Sequence, residues 1–163
     1  MEPFVFPGLT TRVVFGHGTL AQAGEELARL GHGKALVLST PQQKAQAEAL
    51  AATLGARAAF SASGATAVVS LGGGATSGLG NAIAVRTGAD QSAIPTPYAG
   101  SEMTDILGET AEGAKTTRRD PAIRPEVVIY DVDLTLTLPP ALTVTSAMNA
   151  IAHAAEGFYA PDR

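Results

Sequence analysis

The run "TAVVSLGGGATSGLGNAIA" (66–84) decides the fold. Thr66 to Leu71 is a short continuous apolar stretch of the kind that is buried on both faces of a parallel sheet. It delivers the chain into three consecutive glycines, Gly72, Gly73 and Gly74, and an apolar helical pattern over 80–88 follows. Strand, glycine turn and helix in that order suit a phosphate. Glycine permits positive φ and close backbone approach, and the free N–H groups of the helix start attract an anion. The same glycines also suit a tight turn that only packs helix on strand, and the loop alone does not choose between the two.

Known phosphate and nucleophile motifs fit this run only in part. Counting G-x-G-x-x-G from Gly72 puts Ser77 at the third glycine, and no acidic residue ends the next strand as a dinucleotide fingerprint requires. Gly73 and Gly78 have the Walker spacing, but Leu79 and Gly80 stand where Lys and Ser/Thr are needed. Gly74-Ala75-Thr76-Ser77-Gly78 resembles a nucleophile elbow with threonine as nucleophile, yet no acid and histidine follow in a persuasive arrangement.

Outward from the run, strand and helix patterns alternate as a parallel α/β sheet demands. "TRVVFGHG" (11–18) predicts a strand and turn. "LAQAGEELARLG" (20–31) places Leu20, Ala23, Leu27 and Leu30 on one helical stripe and ends at Gly31, a natural residue just past a helix. "KALVLS" (34–39) predicts a buried strand. "PQQKAQAEALAATLG" (41–55) opens with proline and closes with glycine, as a helix does. "ARAAF" (56–60) reads as the edge of a strand, yet only Ser61 to Thr66 separates it from the next one. A crossover between parallel strands takes a dozen or more residues and usually a helix. The expectation is a sequence deleted or discontinuous near Ser63-Gly64, with a strand-helix unit missing.

At 163 residues and 45% hydrophobic, the chain is long enough for one sizeable core. Without cysteine it has neither disulfides nor thiolate metal ligands, which fits a reducing compartment. The start Met1-Glu2-Pro3-Phe4 lacks the basic and apolar regions of a signal peptide, and no apolar run approaches the length of a membrane span. A cytoplasmic protein without membrane partners is expected. Net charge is −4, and basic residues gather only at Lys115, Arg118, Arg119 and Arg124, so no nucleic-acid footprint is present.

"SAIPTPYAGSEMTDILGET" (92–110) predicts a short strand, then Thr96 held between Pro95 and Pro97, then a small-residue turn reaching Ser101 and Thr104. Hydroxyls on rigid turns donate well to phosphate or ribose, and they also cap turns. "AKTTRRDPAIRPEVVIYDVDLTLTLPP" (114–140) gives a cationic turn, a strand "EVVIYD" and a Leu/Thr run stopped at Pro139-Pro140. Lys115 has the reach to meet a phosphate, although a lone lysine is usually a solvated surface group. "ALTVTSAMNAIAHAAEGFY" (141–159) is helical and sets Asn149 and His153 one turn apart on one face. That spacing suits two ligands to one metal, but neutral Asn149 is a poor partner for a hard cation, so no metal is expected.

Taken together, "VVSLGGGATSGLGNAIA", "AIPTPYAGSEMT", "KTTRRDPAIRPEVVIYDVDLTLTLP" and "MNAIAHAAEGFYA" resemble maleylacetate reductases, a branch of the iron-containing (group III) alcohol dehydrogenase superfamily. The resemblance implies an α/β, Rossmann-like parallel-sheet domain for dinucleotide binding over 1–139, and the first helix of an all-helical domain over 140–163. It implies that Gly72, Gly73 and Gly74 cradle the diphosphate of NADH or NADPH, with Ala75 in place of a usual serine. Thr96 matches a cofactor-contacting threonine, Pro97 replaces a second one, and Ser101 belongs to the reductase version of the following loop. Lys115 matches a lysine near the nucleotide. Thr40 and Pro41 stand where NAD-preferring relatives put an aspartate on the ribose 2′-hydroxyl, so a 2′-phosphate is not repelled. Asn149 and His153 occupy metal-binding positions of the iron-dependent enzymes, and asparagine there resembles the metal-independent branch. His153 is then the candidate proton donor, with Arg118, Arg119 and Lys115 as candidate partners for a small dicarboxylate substrate.

The implied reaction is reduction of the 2-maleylacetate C=C bond to 3-oxoadipate in aromatic-compound degradation, by a homodimer. Two other readings stay open: a metal-dependent alcohol dehydrogenase of the same superfamily, and a truncated nucleotide-binding module without catalysis.

Overall fold

The computed structural model describes residues 10–160 apart from 99 and 112, and the backbone alone of 111. The expectations that fall on Met1 to Phe4 and on Ala99 lie outside the described residues. Six strands form one parallel sheet in the order β1-β8-β5-β4-β2-β3. They are β1 (Arg12–Gly16), β2 (Ala35–Leu38), β3 (Ala58–Ala59), β4 (Ala67–Gly72), β5 (Asp90–Pro95) and β8 (Val127–Asp131). Helices α1 (Ala23–Arg29), α2 (Lys44–Leu54) and α3 (Gly74–Thr87) connect them, and α4 (Pro140–Glu156) follows the last strand. This is the Rossmann-like α/β architecture that the alternating pattern predicts.

The faces sort by strand parity. Ala35, Val37, Ala67, Val69 and Leu71 point to one side, where Leu27 of α1 and Leu50 and Leu54 of α2 close the core. Each of these leucines is buried, a contribution of about 1.5–3 kcal/mol apiece. The stripe read on the first helix is the one that packs: Ala23 and Leu27 are buried, and Leu20 and Leu30 lie against the same cluster. At its end Gly31 takes φ 85°, and the His32 N–H reaches back to the Leu27 carbonyl at 2.9 Å. The opposite face is covered by α3. Gly80 approaches β4 so closely that a Cβ there would collide with the Ser70 hydroxyl.

Two local expectations are corrected, and one unassigned run gains a structure. The helix expected over 80–88 begins at Gly74, because close packing on β4 and β5 outweighs the poor helix propensity of Gly74, Gly78 and Gly80. The cationic turn at 114–119 is a strand, β7 (Ala114–Arg119), paired antiparallel with β6 (Ile106–Ala111). The Leu/Thr run forms a 3-10 stretch, Val132–Thr137, whose start is capped by the Asp131 carboxylate accepting from the Asp133 N–H at 3.0 Å.

The connection from β3 to β4 contains no helix. Both strands run parallel to β2, one on each side of it, and residues 60–66 pass round the N-terminal end of β2. That route closes because β3 is two residues long, so the chain has little strand length to retrace. Among the described residues no helix is long and apolar enough to cross a membrane.

Candidate functional site

Adjacent strands β2 and β4 send their chains to opposite faces, β2 into α2 and β4 into α3. Ligands of open α/β sheets bind in the crevice outside the strand ends at such a reversal. Two turns build its walls here. After β2 come Thr40 and a 3-10 turn, Pro41–Gln43; after β4 come Gly72 and Gly73, which lead straight into α3.

Gly72 takes φ 151°, and a Cβ on it would lie 2.5 Å from Thr76 Oγ1 and 2.8 Å from Gln43 Oε1. Only glycine fits. Gly73 caps α3 in an extended conformation, its carbonyl accepting from the Thr76 and Ser77 N–H groups at 3.0 and 3.1 Å. Ahead of those bonds, the N–H groups of Gly74 and Ala75 have no intrahelical carbonyl to reach. Gly74 opens the helix beneath Ser101, whose Oγ would sit 3.7 Å from a Cβ on Gly74. Among the described residues, the buried Ser101 and Thr76 hydroxyls have no hydrogen-bond partner. Buried hydroxyls are normally satisfied, so an orphan at a helix start is a donor held ready for an anion.

The crevice is cross-braced at its rim. Thr96 follows β5 with its N–H on the Gly72 carbonyl at 3.2 Å, and its hydroxyl accepts from the Gln43 side-chain amide. Gln43 in turn accepts from Thr40 Oγ1 at 2.9 Å. Three of the residues singled out in the sequence, Thr40, Gly72 and Thr96, thus meet through a fourth, Gln43, that carried no motif.

Beside this crevice lies a cavity of about 760 Å3, walled by Phe15, Pro95 and Pro97 and reached by Ser101, Tyr130 and His153. Glu102 is buried in its wall and accepts from the Tyr130 hydroxyl at 2.8 Å. Burial, and then the adjoining Glu102 carboxylate, push the Tyr130 phenol well above its usual range, so it stays a donor. Neither Glu102 nor Tyr130 announces itself in sequence, since one sits in a turn and the other in a strand.

His153 faces the cavity from α4, with Nδ1 3.7 Å from Glu156 Oε2. Asn149 is exposed one turn before it. Among the described residues no three His, Asp or Glu side chains converge to hold a metal ion. Lys115 stands apart from the crevice residues, exposed on β7 opposite Thr110 with its stem against Gly108. The neighbouring cations are already paired: Arg118 with Asp120 at 2.8 Å, and Arg119 and Arg124 with Asp105 at 3.5 and 3.3 Å.

No family model matches the chain. Individual proteins do. Maleylacetate reductase from Rhizobium sp. strain MTP-10005 is 54% identical over 184 aligned positions, which take in 100% of this chain and 52% of that protein. The crystal structure of maleylacetate reductase from Agrobacterium tumefaciens superposes with a TM-score of 0.92 at 54% identity, covering 100% of this chain and 53% of that one. An iron-containing alcohol dehydrogenase from Corynebacterium glutamicum superposes with a TM-score of 0.90 at 31% identity, over 99% of this chain and 51% of its own. The chain spans about half the length of the relatives it matches. The chain is thus similar along its whole length to maleylacetate reductases, on a shared sheet, and aligns with the N-terminal half of those proteins.

Proposed function

We propose that this chain is the nucleotide-binding half of an NAD(P)H-dependent maleylacetate reductase. The observation that carries the reading is the buried, unpartnered Ser101 hydroxyl held over the Gly72-Gly73 turn and the start of α3. Gly72, Gly73 and Gly74 with the first N–H groups of α3 would hold the diphosphate, helped by Ser101. Thr40 and Gln43 would face the adenosine ribose, and with no carboxylate there a 2′-phosphate is tolerated. Thr96 would fix the nucleotide from the β5 side. Lys115 serves only if the hairpin β6–β7 brings it over the diphosphate.

The nicotinamide, when bound, supplies a hydride to one alkene carbon of maleylacetate. The rest falls to the protein. Phe15, Pro95 and Pro97 present apolar walls beside the reacting atoms. Tyr130 keeps its proton and donates a hydrogen bond to Glu102, so the wall stays neutral at the phenol. His153 delivers the proton that the second alkene carbon takes up, with Asn149 as a neutral neighbour where a metal-binding chain would carry a carboxylate. A homodimer in the cytoplasm and a small dicarboxylate substrate belong to the same reading.

The test is a fluorescence titration of the 163-residue chain with NADH, followed by NADH oxidation in the presence of maleylacetate. Saturable binding that weakens several-fold in Ser101→Ala, at unchanged thermal stability, supports the nucleotide site. Absence of saturable binding overturns it. Turnover of maleylacetate supports the reductase, whereas binding without turnover favours a nucleotide-binding module.

A further inference from the structure

One tight turn carries two neighbouring side chains of the site. Gly100 takes φ 78°, and the 3-10 turn Ser101–Met103 follows it. The Met103 N–H bonds the Gly100 carbonyl at 3.1 Å, and Thr104 Oγ1 bonds the Ser101 carbonyl at 2.9 Å, which fixes the turn. Ser101 lies over the start of α3. Glu102, one residue on, lines the 760 Å3 cavity beside the crevice.

Glu102 is an unusual wall residue. It is only 3% exposed, and acidic side chains are almost never buried to that degree unless paired. Its Oε1 accepts from the Tyr130 hydroxyl at 2.8 Å, but among the described residues nothing donates to Oε2 and no Lys, Arg or His forms an ion pair with it. Asp131, which lines the same cavity, differs. Its Oδ1 accepts from the Gly18 and Asp133 N–H groups at 3.1 and 3.0 Å, and its Oδ2 accepts from the Leu20 N–H at 2.8 Å. A carboxylate oxygen without any donor, in a wall this buried, calls for one from a ligand.

Charge selects that donor. A dicarboxylate substrate is repelled by a further carboxylate, so Glu102 does not hold its acid groups. A metal ion needs more ligands, and among the described residues no three His, Asp or Glu side chains converge. A neutral ligand with hydroxyl donors fits. The dinucleotide carries such a group on the correct side: with the adenosine ribose at Thr40 and Gln43, at the end of β2, the second ribose lies across the diphosphate, toward β5, β8 and the cavity. Its vicinal hydroxyls are neutral donors, and an acidic side chain is a usual partner for ribose hydroxyls in dinucleotide sites.

We propose that Glu102 binds the hydroxyls of the nicotinamide-side ribose through Oε2, while Tyr130 holds its other oxygen in place. This role rests on the nucleotide site proposed above and adds a residue for the reactive half of the cofactor. Glu102 touches the ligand, and Tyr130 acts through Glu102 as a positioning residue.

The test is isothermal titration of the full 163-residue chain and its Glu102→Gln variant with ADP, ADP-ribose and NADH. Glutamine keeps an acceptor for Tyr130 and removes the charge-assisted contact. ADP has the diphosphate but no second ribose, and ADP-ribose has the second ribose but no nicotinamide. In the variant, ADP-ribose and NADH should each bind about tenfold more weakly, while ADP binds as it does to the wild type. Tyr130→Phe should give the same pattern to a smaller degree. Equal loss for all three probes would mean that Glu102 only supports the fold, and no loss for any would place it outside the site. Either result overturns the inference while wild-type ADP binding keeps the nucleotide site. A loss confined to NADH would put the nicotinamide carboxamide on Glu102 and overturn the ribose assignment. If the wild-type chain binds none of the three, the nucleotide site itself falls and this role with it.

Discussion

Gln43 donates its side-chain amide to the Thr96 hydroxyl and accepts from Thr40 Oγ1 at 2.9 Å, joining the ends of β2 and β5 across the mouth of the glycine turn. Truncating it leaves two hydroxyls at a half-buried rim without their protein partner. Gln43→Ala should therefore lower the free energy of unfolding by about 0.5–1.5 kcal/mol. It should also weaken NADH binding, because Thr96 loses the contact that sets its orientation. Urea denaturation and an NADH titration check both, and a variant with wild-type affinity would remove Gln43 from the site.

The glycines of one motif should respond with opposite signs. At Gly72 an alanine meets Thr76 Oγ1 and Gln43 Oε1 and takes φ 151°, so Gly72→Ala should cost about 1–3 kcal/mol. Gly78 lies inside α3 with nothing within 4 Å of a new Cβ, so Gly78→Ala should stabilise by about 0.5–1 kcal/mol. In thermal melts these are shifts of a few degrees in opposite directions. Equal loss in both variants would mean that the whole run resists side chains.

The same contrast shows how far the sequence could be read. The sheet was legible because its strands are short apolar runs bounded by glycine and proline, and periodicity reports burial directly. The start of α3 was not, since glycine signals a turn locally while close packing on Ser70 is a tertiary fact. The hairpin β6–β7 was missed because every residue of β7 is exposed, so no alternation marks it. Gln43 escaped for another reason: its partner Thr96 is 53 residues away, and nothing in "PQQ" implies that distance will close.

Tyr130 and Glu102 should behave as a coupled pair. Tyr130→Phe takes the donor from a buried carboxylate, an expected loss of about 1–3 kcal/mol. Glu102→Gln in the same background should recover part of it, because an amide does not bring a buried charge. Additive losses in the double variant would show that the two groups do not interact. The raised phenol also sets a pH dependence. The folded state holds its proton more tightly than the unfolded chain, so this contribution is complete below the usual value of 10.0 and declines as the pH rises above it.

Glu26 fixes the acid limb. Both of its carboxylate oxygens accept from Arg12 Nε, at 3.0 and 3.1 Å, and one accepts from Arg29 Nε at 2.8 Å, tying edge strand β1 to α1. Burial alone would raise the carboxyl, but the hydrogen bonds from Arg29 and Arg12 outweigh it and hold the group below its usual 4.5. The unfolded chain therefore binds the proton more readily, and the stabilisation present above 4.5 is lost as the pH falls through the lower folded value. Both arginines are about half-exposed, at 53% and 45%, so solvent screens the pair. Glu26→Gln should accordingly cost only about 1–2 kcal/mol at pH 7. It should also flatten the decline in stability below pH 4.5, which urea melts at stepped pH would follow. A variant that keeps the wild-type acid slope would move the origin of that slope to another carboxylate, with Asp133, held low by His17, the next to examine.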